Sequence, residues 1–434
     1  MNFRYIFVFS VLLSSFSALC GQTSTKQWTL EECINYAMEN NLDIRKAKLS
    51  EQEDVIDRKQ AIASFFPSVM GSVSQSYNRG YENDESKITG QWRGSYSLGA
   101  SIDLFKGLKN FWTLKQTKIQ SQQTEAMVQQ KQYDIKIAIT QAYMQILYYQ
   151  EALTIANQNK IVAQSQMERG KNLLEAGSSS KSEYATLQSQ YASANAQVVR
   201  AQNSLDNMKL QLKQMLKMGI DDEIDVVIIE INESQITDTL TDKKQIYRNA
   251  LNNMPKMRLA EVNKKMADLN YKIVLANCFP SLSLNGSLGS SNVYGTAQDF
   301  GEQMKNTFNQ SLSLGLSIPI FTNLQSYASV QKAKIQQQSV EFDYADAEDD
   351  MLQTIESLYQ DALSAQAEYL AAQQQLEAAE LSYELAEEKF NLGMQNATDI
   401  LVERNNLNTA QQNVLQNKYT ALLSKLILNI YQGI

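Results

Sequence analysis

The sequence predicts a mainly helical membrane protein with a small set of β-strands, built from one unit that occurs twice. Three observations lead to this fold class. Two very long stretches carry the seven-residue apolar repeat of a coiled coil. Four shorter stretches alternate apolar and small polar residues, as strands do. The order of these stretches is the same in both halves of the chain, which indicates an internal duplication.

Residues 1–20 are predicted to form a secretory signal peptide. Arg4 supplies its positive end, residues 5–13 its apolar core, and Cys20 the end of a cleavage site. An alternative is that Cys20 becomes a lipid-modified N-terminus, although Leu19 is larger than the residue that such a signal prefers before the cysteine. Beyond residue 20 no run of about 18 apolar residues occurs, so insertion into a membrane is expected to use strands.

The composition excludes several classes of function. The net charge of −8 argues against a nucleic-acid partner, and the lack of histidine removes His-based catalytic triads and most zinc sites. Cys33 and Cys278 are expected to be isolated buried thiols, with a disulfide between them as the alternative. The Ser178–Lys181 stretch has the spacing of a serine nucleophile, but no second catalytic element accompanies it. We therefore expect no enzyme, no catalytic residue, no metal and no cofactor.

Residues 21–217 are predicted to form the first structural repeat. A helix from Trp28 to about Ser64 ends before Pro67. Two strands follow, each with apolar residues on one face and small polar residues on the other. A coiled-coil hairpin then begins near Lys109 and turns at Gly177. The apolar or small residues of its inward arm are Ile135, Ile139, Ala142, Ile146, Tyr149, Leu153, Ala156, Ala163, Met167, Gly170 and Leu174.

The rest of the chain repeats this order after a short interruption. A mixed connecting segment, 218–243, contains one candidate buried strand at Val226–Ile229. Residues 244–434 are predicted to form the second structural repeat, again a helix, a strand pair and a coiled-coil hairpin. The second hairpin turns at Gly393 and ends near Tyr431. The residues of its inward arm with the same spacing are Met351, Ile355, Leu358, Ala362, Ala365, Tyr369, Ala372, Leu376, Ala379, Tyr383, Ala386 and Phe390.

The strands have the length and pattern of an outer-membrane barrel. A tilted strand needs roughly 9–11 residues to cross a bilayer, and these stretches match that length. Four strands cannot close a barrel, and open strand edges are not tolerated in lipid. Two copies of the chain give eight strands and a filled interior, whereas three copies give twelve strands and an open lumen. A soluble sandwich is the alternative, but it needs more than four strands. We therefore predict a homotrimer with one twelve-stranded barrel.

The whole mature chain, from about residue 28 to residue 434, resembles the TolC-type outer membrane efflux family. The resemblance rests on the duplicated order of elements, on the Phe-Pro-Ser strand entry at Phe66–Ser68, and on the turn Phe390–Leu401. It implies a trimeric barrel in the outer membrane that continues into a periplasmic α-helical tunnel. Such a duct receives substrates from an inner-membrane pump through a periplasmic adaptor protein, in tripartite efflux or type I secretion. The alternative is a periplasmic adaptor or structural coiled-coil protein, which has no need of lipid-facing strands.

The turns of the two hairpins are candidate docking tips. They lie at the ends of the hairpins farthest from the strands, and they resemble the adaptor-docking tips of the family. The residues concerned are Gly177 and Ser178 in the first repeat and Leu392, Gly393 and Met394 in the second. The alternative is that these are only helix-terminating turns, because glycine readily ends a helix.

A candidate pore gate lies just beyond each tip. Asp399 matches an aspartate of the family's closing constriction, and the residue in the same position of the first repeat is Glu183. A trimer brings three Asp399 carboxylates around one axis, and such a ring attracts cations. The family has a second aspartate three residues later, where this chain has Val402, so a weaker ring is expected. The alternative is that Asp399 only stabilises the start of its helix.

Overall fold

Two long helical hairpins and one four-stranded sheet make up the molecule. The computed structural model describes residues 26–81, 88–228, 232–392 and 394–433. The predicted signal peptide with Cys20, and the tip residue Gly393, lie outside these ranges. The elements in chain order are β1 (Gln27–Trp28), α1 (Leu30–Asn40), α2 (Leu42–Ala63), β2 (Ser68–Tyr81), β3 (Ile88–Lys106), α3 (Lys109–Glu175), α4 (Lys181–Met215), β4 (Asp225–Val226), α5 (Glu233–Thr237), α6 (Lys243–Asn253), α7 (Pro255–Ala276), β5 (Ser281–Val293), α8 (Phe300–Asn306), β6 (Asn309–Ser317), α9 (Gln325–Asn391) and α10 (Ala397–Gln432).

The helical hairpins are α3 with α4 and α9 with α10. Helices α3 and α9 have 67 residues each. Each is therefore about 100 Å long at about 1.5 Å per residue. The predicted coiled-coil spacing is confirmed, because the buried residues of α9 follow it: Met351, Ile355, Ala362, Ala365, Tyr369, Ala372, Tyr383 and Ala386.

The four long strands form one antiparallel sheet in the order β2, β3, β5, β6. The two repeats join at the β3–β5 pair, where Leu98 lies opposite Leu288 and Tyr96 lies opposite Ser290. Strands β2, β3 and β5 have 14, 19 and 13 residues and are longer than predicted, because their pairing continues toward the loops. Within the described ranges, neither outer edge of the sheet, β2 or β6, is paired with another strand.

The two faces of this sheet differ in chemistry. The face that we call the leucine face carries mostly exposed apolar side chains: Val69, Val73, Leu98, Leu288, Leu312, Leu314 and Leu316. The opposite face, the serine face, carries small polar side chains that bond across the strands. The hydroxyls of Ser72 and Ser97 lie 2.9 Å apart, and those of Ser287 and Ser311 lie 2.8 Å apart. The predicted alternation of the strands is therefore confirmed.

The corners that lead from the sheet into α3 and α9 each contain two residues in the left-handed conformation. Gly107 and Leu108 precede α3 with φ of 58° and 65°, and Asn323 and Leu324 precede α9 with φ of 50° and 62°. A side chain at Gly107 would collide with the carbonyl oxygen of Ala276, so this corner requires glycine. The matching corners are a structural sign of the duplication. The bounds of the repeats, 21–217 and 244–434, stay predictions.

The N-terminal segment differs from the prediction in two places. Trp28 is not helical, because β1 pairs in parallel with β4. The Tyr143 hydroxyl of α3 holds this pair, since it lies 2.8 Å from the carbonyl oxygen of Val227 and 3.2 Å from that of Trp28. The single helix predicted from Trp28 to Ser64 is two helices, because Asn41 ends α1 and caps α2. Its side-chain oxygen accepts a hydrogen bond from the Asp43 N–H at 2.8 Å.

The two described cysteines are free thiols, so the disulfide alternative is wrong. Cys33 is buried as predicted, and burial raises the pKa of its thiol to about 12. Cys278 is exposed, contrary to the prediction, because it lies in the turn between α7 and β5. Over the part of the chain that the structure describes, no helix has an apolar stretch long enough to cross a bilayer.

Candidate docking tips and gate

The first tip, residues 176–180, joins α3 to α4. Gly177 has a φ of +74°, a conformation that glycine adopts without strain. Its N–H donates to the carbonyl oxygen of Leu174 at 3.0 Å, and the N–H of Ser178 donates to that of Leu173 at 2.9 Å. These are the hydrogen bonds that usually close a helix ending in glycine. Gly177 therefore explains why α3 ends where the sequence predicts.

The second tip, residues 392–396, joins α9 to α10 with a similar turn. The N–H of Met394 donates to the carbonyl oxygen of Lys389 at 2.8 Å, which repeats the bond between Ser178 and Leu173. Leu392 and Met394 are 71% and 75% exposed. The first tip places only small residues at its surface, so the two tips share a turn but differ in side-chain chemistry.

The two tips lie side by side around a cleft of about 430 Å³. Arg169 of α3 spans it and donates hydrogen bonds to Asn391 of α9, to the carbonyl oxygen at 3.2 Å and to the side-chain oxygen. The cleft brings together predicted residues from both repeats, because Ser178, Glu183 and Met394 all line it. The docking candidate Ser178 and the gate candidate Glu183, both of the first repeat, therefore lie in the same cleft as Met394 of the second tip.

Glu183 is bound to the start of its own helix. Ser180 and Glu183 form a capping box, in which the Glu183 carboxylate accepts the Ser180 N–H at 2.8 Å and the Glu183 N–H donates to the Ser180 hydroxyl at 3.1 Å. The hydroxyl of Ser179 also donates to this carboxylate, at 2.7 Å. These hydrogen bonds, first that from the Ser180 backbone, lower the pKa of Glu183. The carboxylate therefore serves as a helix cap in this conformation.

Asp399 occupies the same helical position in α10 but has a different environment. Asn396 caps α10 by accepting the Asp399 N–H at 2.9 Å. Among the described residues the Asp399 carboxylate makes no return bond of the capping-box kind, and the side chain is exposed. Val402 follows one turn later and is 53% exposed. Residues three apart lie on one face of a helix, so Asp399 and Val402 share an exposed face.

Further polar side chains join α3 to the second hairpin above the tips. The Gln166 amide donates to the Tyr383 hydroxyl at 3.0 Å. Arg404, which is only 8% exposed, donates to the side-chain oxygen of Asn159 at 2.7 Å. The sequence reasoning missed these pairs, because their partners lie in different repeats and no local pattern links them. Arg404 interrupts the apolar spacing of α10. That interruption was the one feature of the sequence that could have indicated a buried polar contact there.

Comparison with known protein families gives the class of protein to which this chain belongs. The family model described as "Outer membrane efflux protein" matches this chain twice, over residues 33–216 and 246–429. The chain therefore belongs to the outer membrane efflux protein family. This membership confirms the predicted efflux function and outer-membrane location. It also confirms the internal duplication, since the two matched ranges each contain one hairpin.

Individual relatives agree with this assignment. The outer membrane protein TolC of Vibrio cholerae is 22% identical over 358 residues, which cover 80% of this chain and 76% of TolC. The outer membrane protein VceC of Vibrio cholerae has a similar fold, with a TM-score of 0.78 and 17% identity over 93% of this chain and 96% of VceC. The CmeC outer membrane channel of Campylobacter jejuni has a TM-score of 0.76 and 17% identity over 100% of this chain and 93% of CmeC.

Proposed function

We propose that three copies of this chain close one twelve-stranded barrel in the outer membrane. The observation that carries the proposal is the open four-stranded sheet with its exposed leucine face. Unpaired strand edges are not stable in lipid, so β6 of one copy pairs with β2 of the next. The leucine face then contacts lipid and the serine face lines the lumen. A barrel of twelve strands leaves an open lumen.

The six helical hairpins of the trimer continue from the barrel as a tunnel into the periplasm. The protein is then the exit duct of a tripartite efflux or type I secretion system, and it receives substrates from an inner-membrane pump through a periplasmic adaptor. Helices of about 100 Å support this, because they reach far beyond the thickness of a bilayer. The duct catalyses no reaction. The family match disfavours the alternative of a periplasmic adaptor or structural coiled-coil protein.

The tips are the adaptor-docking sites in this proposal. Leu392 and Met394 support it, because exposed apolar side chains at the end of a long hairpin suit a protein partner. Gly177, Ser178 and Gly393 complete the proposed docking surface, and Ser178 lines the same cleft as Met394.

The gate of the duct is a ring of three Asp399 side chains, with Glu183 in the adjacent first hairpin. The exposed Asp399 carboxylate supports this role. Glu183 has the weaker support, because its carboxylate is held by Ser180. Three Asp399 carboxylates around one axis would attract cations and slow their passage when they bind.

The assembly is tested by measuring the mass of the purified protein in detergent, which should equal three chains. A stable monomer in detergent-free buffer would contradict the trimer.

The orientation of the sheet is tested by a matched pair of variants, Leu314→Lys on the leucine face and Ser313→Lys on the serine face. A lysine facing lipid near the bilayer centre costs roughly 2–4 kcal/mol. We expect Leu314→Lys to reduce the amount of folded protein in the outer membrane and Ser313→Lys to leave it nearly unchanged.

A further inference from the structure

The loop between β5 and β6, residues 294–308, is a folded unit that contains the short helix α8. Asp299 caps α8 by accepting the Glu302 N–H at 3.0 Å. Gln303 is only 9% exposed and holds the loop together. Its side-chain oxygen accepts the Val293 N–H at 2.7 Å, and its amide donates to the Thr296 hydroxyl at 2.9 Å and to the Gln298 carbonyl oxygen at 2.8 Å. The position of α8 is therefore fixed by hydrogen bonds.

Helix α8 lies against the leucine face of the sheet. The Ser290 hydroxyl of β5 lies 2.7 Å from the carbonyl oxygen of Met304 in α8. The ring of Tyr96 in β3 meets the ring of Phe300 edge to face, with 6.0 Å between their centres. Ser290 and Tyr96 are opposite each other in the β3–β5 register, two residues beyond the Leu288–Leu98 pair. Side chains two residues apart point to the same face, so α8 covers the leucine side and not the serine side.

The β5–β6 loop lies at the border of the apolar band that the leucines form on the leucine face. Two residues along a strand span about 7 Å, so α8 lies just beyond Leu98 and Leu288, on the side of them away from the helical hairpins. Aromatic rings follow the leucines on this face. Phe300 lies against Tyr96, and the opposed Tyr77 and Trp92 lie four residues farther along β3. Tyr77, Trp92 and Phe300 are each about half exposed. Aromatic side chains at the end of an apolar band are typical of the boundary between lipid chains and headgroups.

We propose that the β5–β6 loop is an anchor that binds lipid of the outer leaflet. The Phe300 ring lies among the lipid chains nearest the headgroups, and the polar residues Glu302 and Lys305 of α8 face the headgroups and water. This inference rests on the proposed function, because it requires that the leucine face contacts lipid. It also implies that this loop leaves the mouth of the duct uncovered.

A second copy of the chain is a poorer occupant of this surface than lipid. The contacts of α8 are with Tyr96 and Ser290, which belong to β3 and β5, the two central strands of the sheet. Neighbouring copies would pair at the outer strands β2 and β6. The contact of Phe300 with Tyr96 therefore lies on a central strand and not at the edges that would join the copies.

Photocrosslinking of the full chain in cells tests the anchor. The residue p-benzoylphenylalanine replaces Phe300, and separately Leu314 on the leucine face and Ser311 on the serine face. After illumination, we expect several-fold more lipid adduct at position 300 than at position 311, detected by mass spectrometry of the purified chain. An aromatic replacement at half-exposed Phe300 is conservative, and the amount of each variant in the outer membrane serves as the folding control.

The outcomes separate the anchor from the proposed function. Lipid adducts at positions 314 and 300 support both. Lipid adducts at 314 without any at 300 overturn the anchor and leave the proposed function standing, and so does an adduct between position 300 and a second copy. A failure to find lipid adducts at 314 overturns the proposed orientation of the sheet itself.

Discussion

The two tips of this molecule share a helix-ending hydrogen bond but differ in their side chains. The first tip is polar and closely fixed, because Ser180 and Glu183 bond to each other in both directions. The second tip is capped in one direction only, by Asn396, and exposes Leu392 and Met394. The duplication has thus kept this main-chain hydrogen bond while the side chains have diverged. We infer that the second tip makes the contact with the proposed adaptor and that the first tip supports the second.

The largest expected effect concerns partner binding at the second tip. In the double variant Leu392→Ser, Met394→Ser the apolar contact surface is lost, and central apolar contacts of an interface are often worth about 2 kcal/mol or more, roughly 30-fold in affinity. Binding of the purified protein to its adaptor, measured by surface plasmon resonance, should weaken by that order. The control is Ala176→Ser, an exposed residue of the first tip outside the proposed docking surface, which should bind almost normally. Equal losses at both tips would contradict the division of roles.

The next effect concerns the packing behind the first tip. Gly170 lies against the Leu187 side chain, and a methyl group at this position would collide with Leu187. Gly170→Ala should therefore separate α3 from α4 at a cost of about 1–3 kcal/mol, the usual range for overpacking. Hydrogen exchange at the tip end of both helices should become faster. The control is Gly170→Ala in a Leu187→Ala background, where the shorter side chain leaves room for the added methyl group. Unchanged exchange in Gly170→Ala would show that Leu187 moves aside freely.

Smaller effects are expected from the two helix caps. Ser180→Ala and Asn396→Ala should each destabilise the start of their helix by about 1 kcal/mol. Of these two caps, only the one at the start of α4 contains a titratable group, the Glu183 carboxylate. Because the pKa of Glu183 is lowered in the folded protein, its contribution is present at neutral pH and is lost as the pH falls through the folded-state pKa. Hydrogen exchange, corrected for intrinsic rates, should show acid loosening the start of α4 in the parent protein. The same loosening in Glu183→Gln, which lacks the titrating carboxylate, would refute this origin.

The smallest effect concerns ion selectivity. Asp399→Asn removes one charge per chain at the proposed ring, and exposed charges are screened, so we expect the cation-to-anion permeability ratio to fall by a factor of about two to five. Block by multivalent cations should also be relieved. Glu183→Gln should change conductance less, because the Glu183 carboxylate is bound to Ser180. Both are measured in planar bilayers. Unchanged selectivity and block in Asp399→Asn would leave Asp399 as a residue that only stabilises its helix.

Much of the fold was predictable because its signals are local and repeated. The spacing of residues such as Ile355 and Ala362 predicts the coiled-coil hairpins, and Gly177 predicts where one of them turns. Leucine and serine alternation predicts the strands of the sheet. The short pairing of β1 with β4 was not predictable, because two residues carry no periodic pattern. Helix α8 was not predicted, although Asp299 at its start was a usable capping signal.

The candidate site was less predictable than the fold. The tip residues are adjacent in the sequence, so the turns were found from glycine and capping residues alone. The contact of Arg169 with Asn391 joins the two repeats, and nothing local in either stretch indicates the other. The capping box at Glu183 was also missed, although Ser180 precedes it at the expected spacing. Sequence position alone could not separate a gate from a cap at Glu183.

The unpaired edges of β2 and β6 fix the order of events during biogenesis. A single chain can fold its hairpins in water, but its sheet exposes both a leucine surface and two rows of free main-chain groups. Lipid can cover the leucine surface, but the free main-chain groups are paired only when other copies arrive. In the proposed trimer, insertion and association are therefore one event, whose rate depends steeply on the concentration of exported chains. A cell that lowers synthesis of this protein should lose assembled ducts faster than it loses chains.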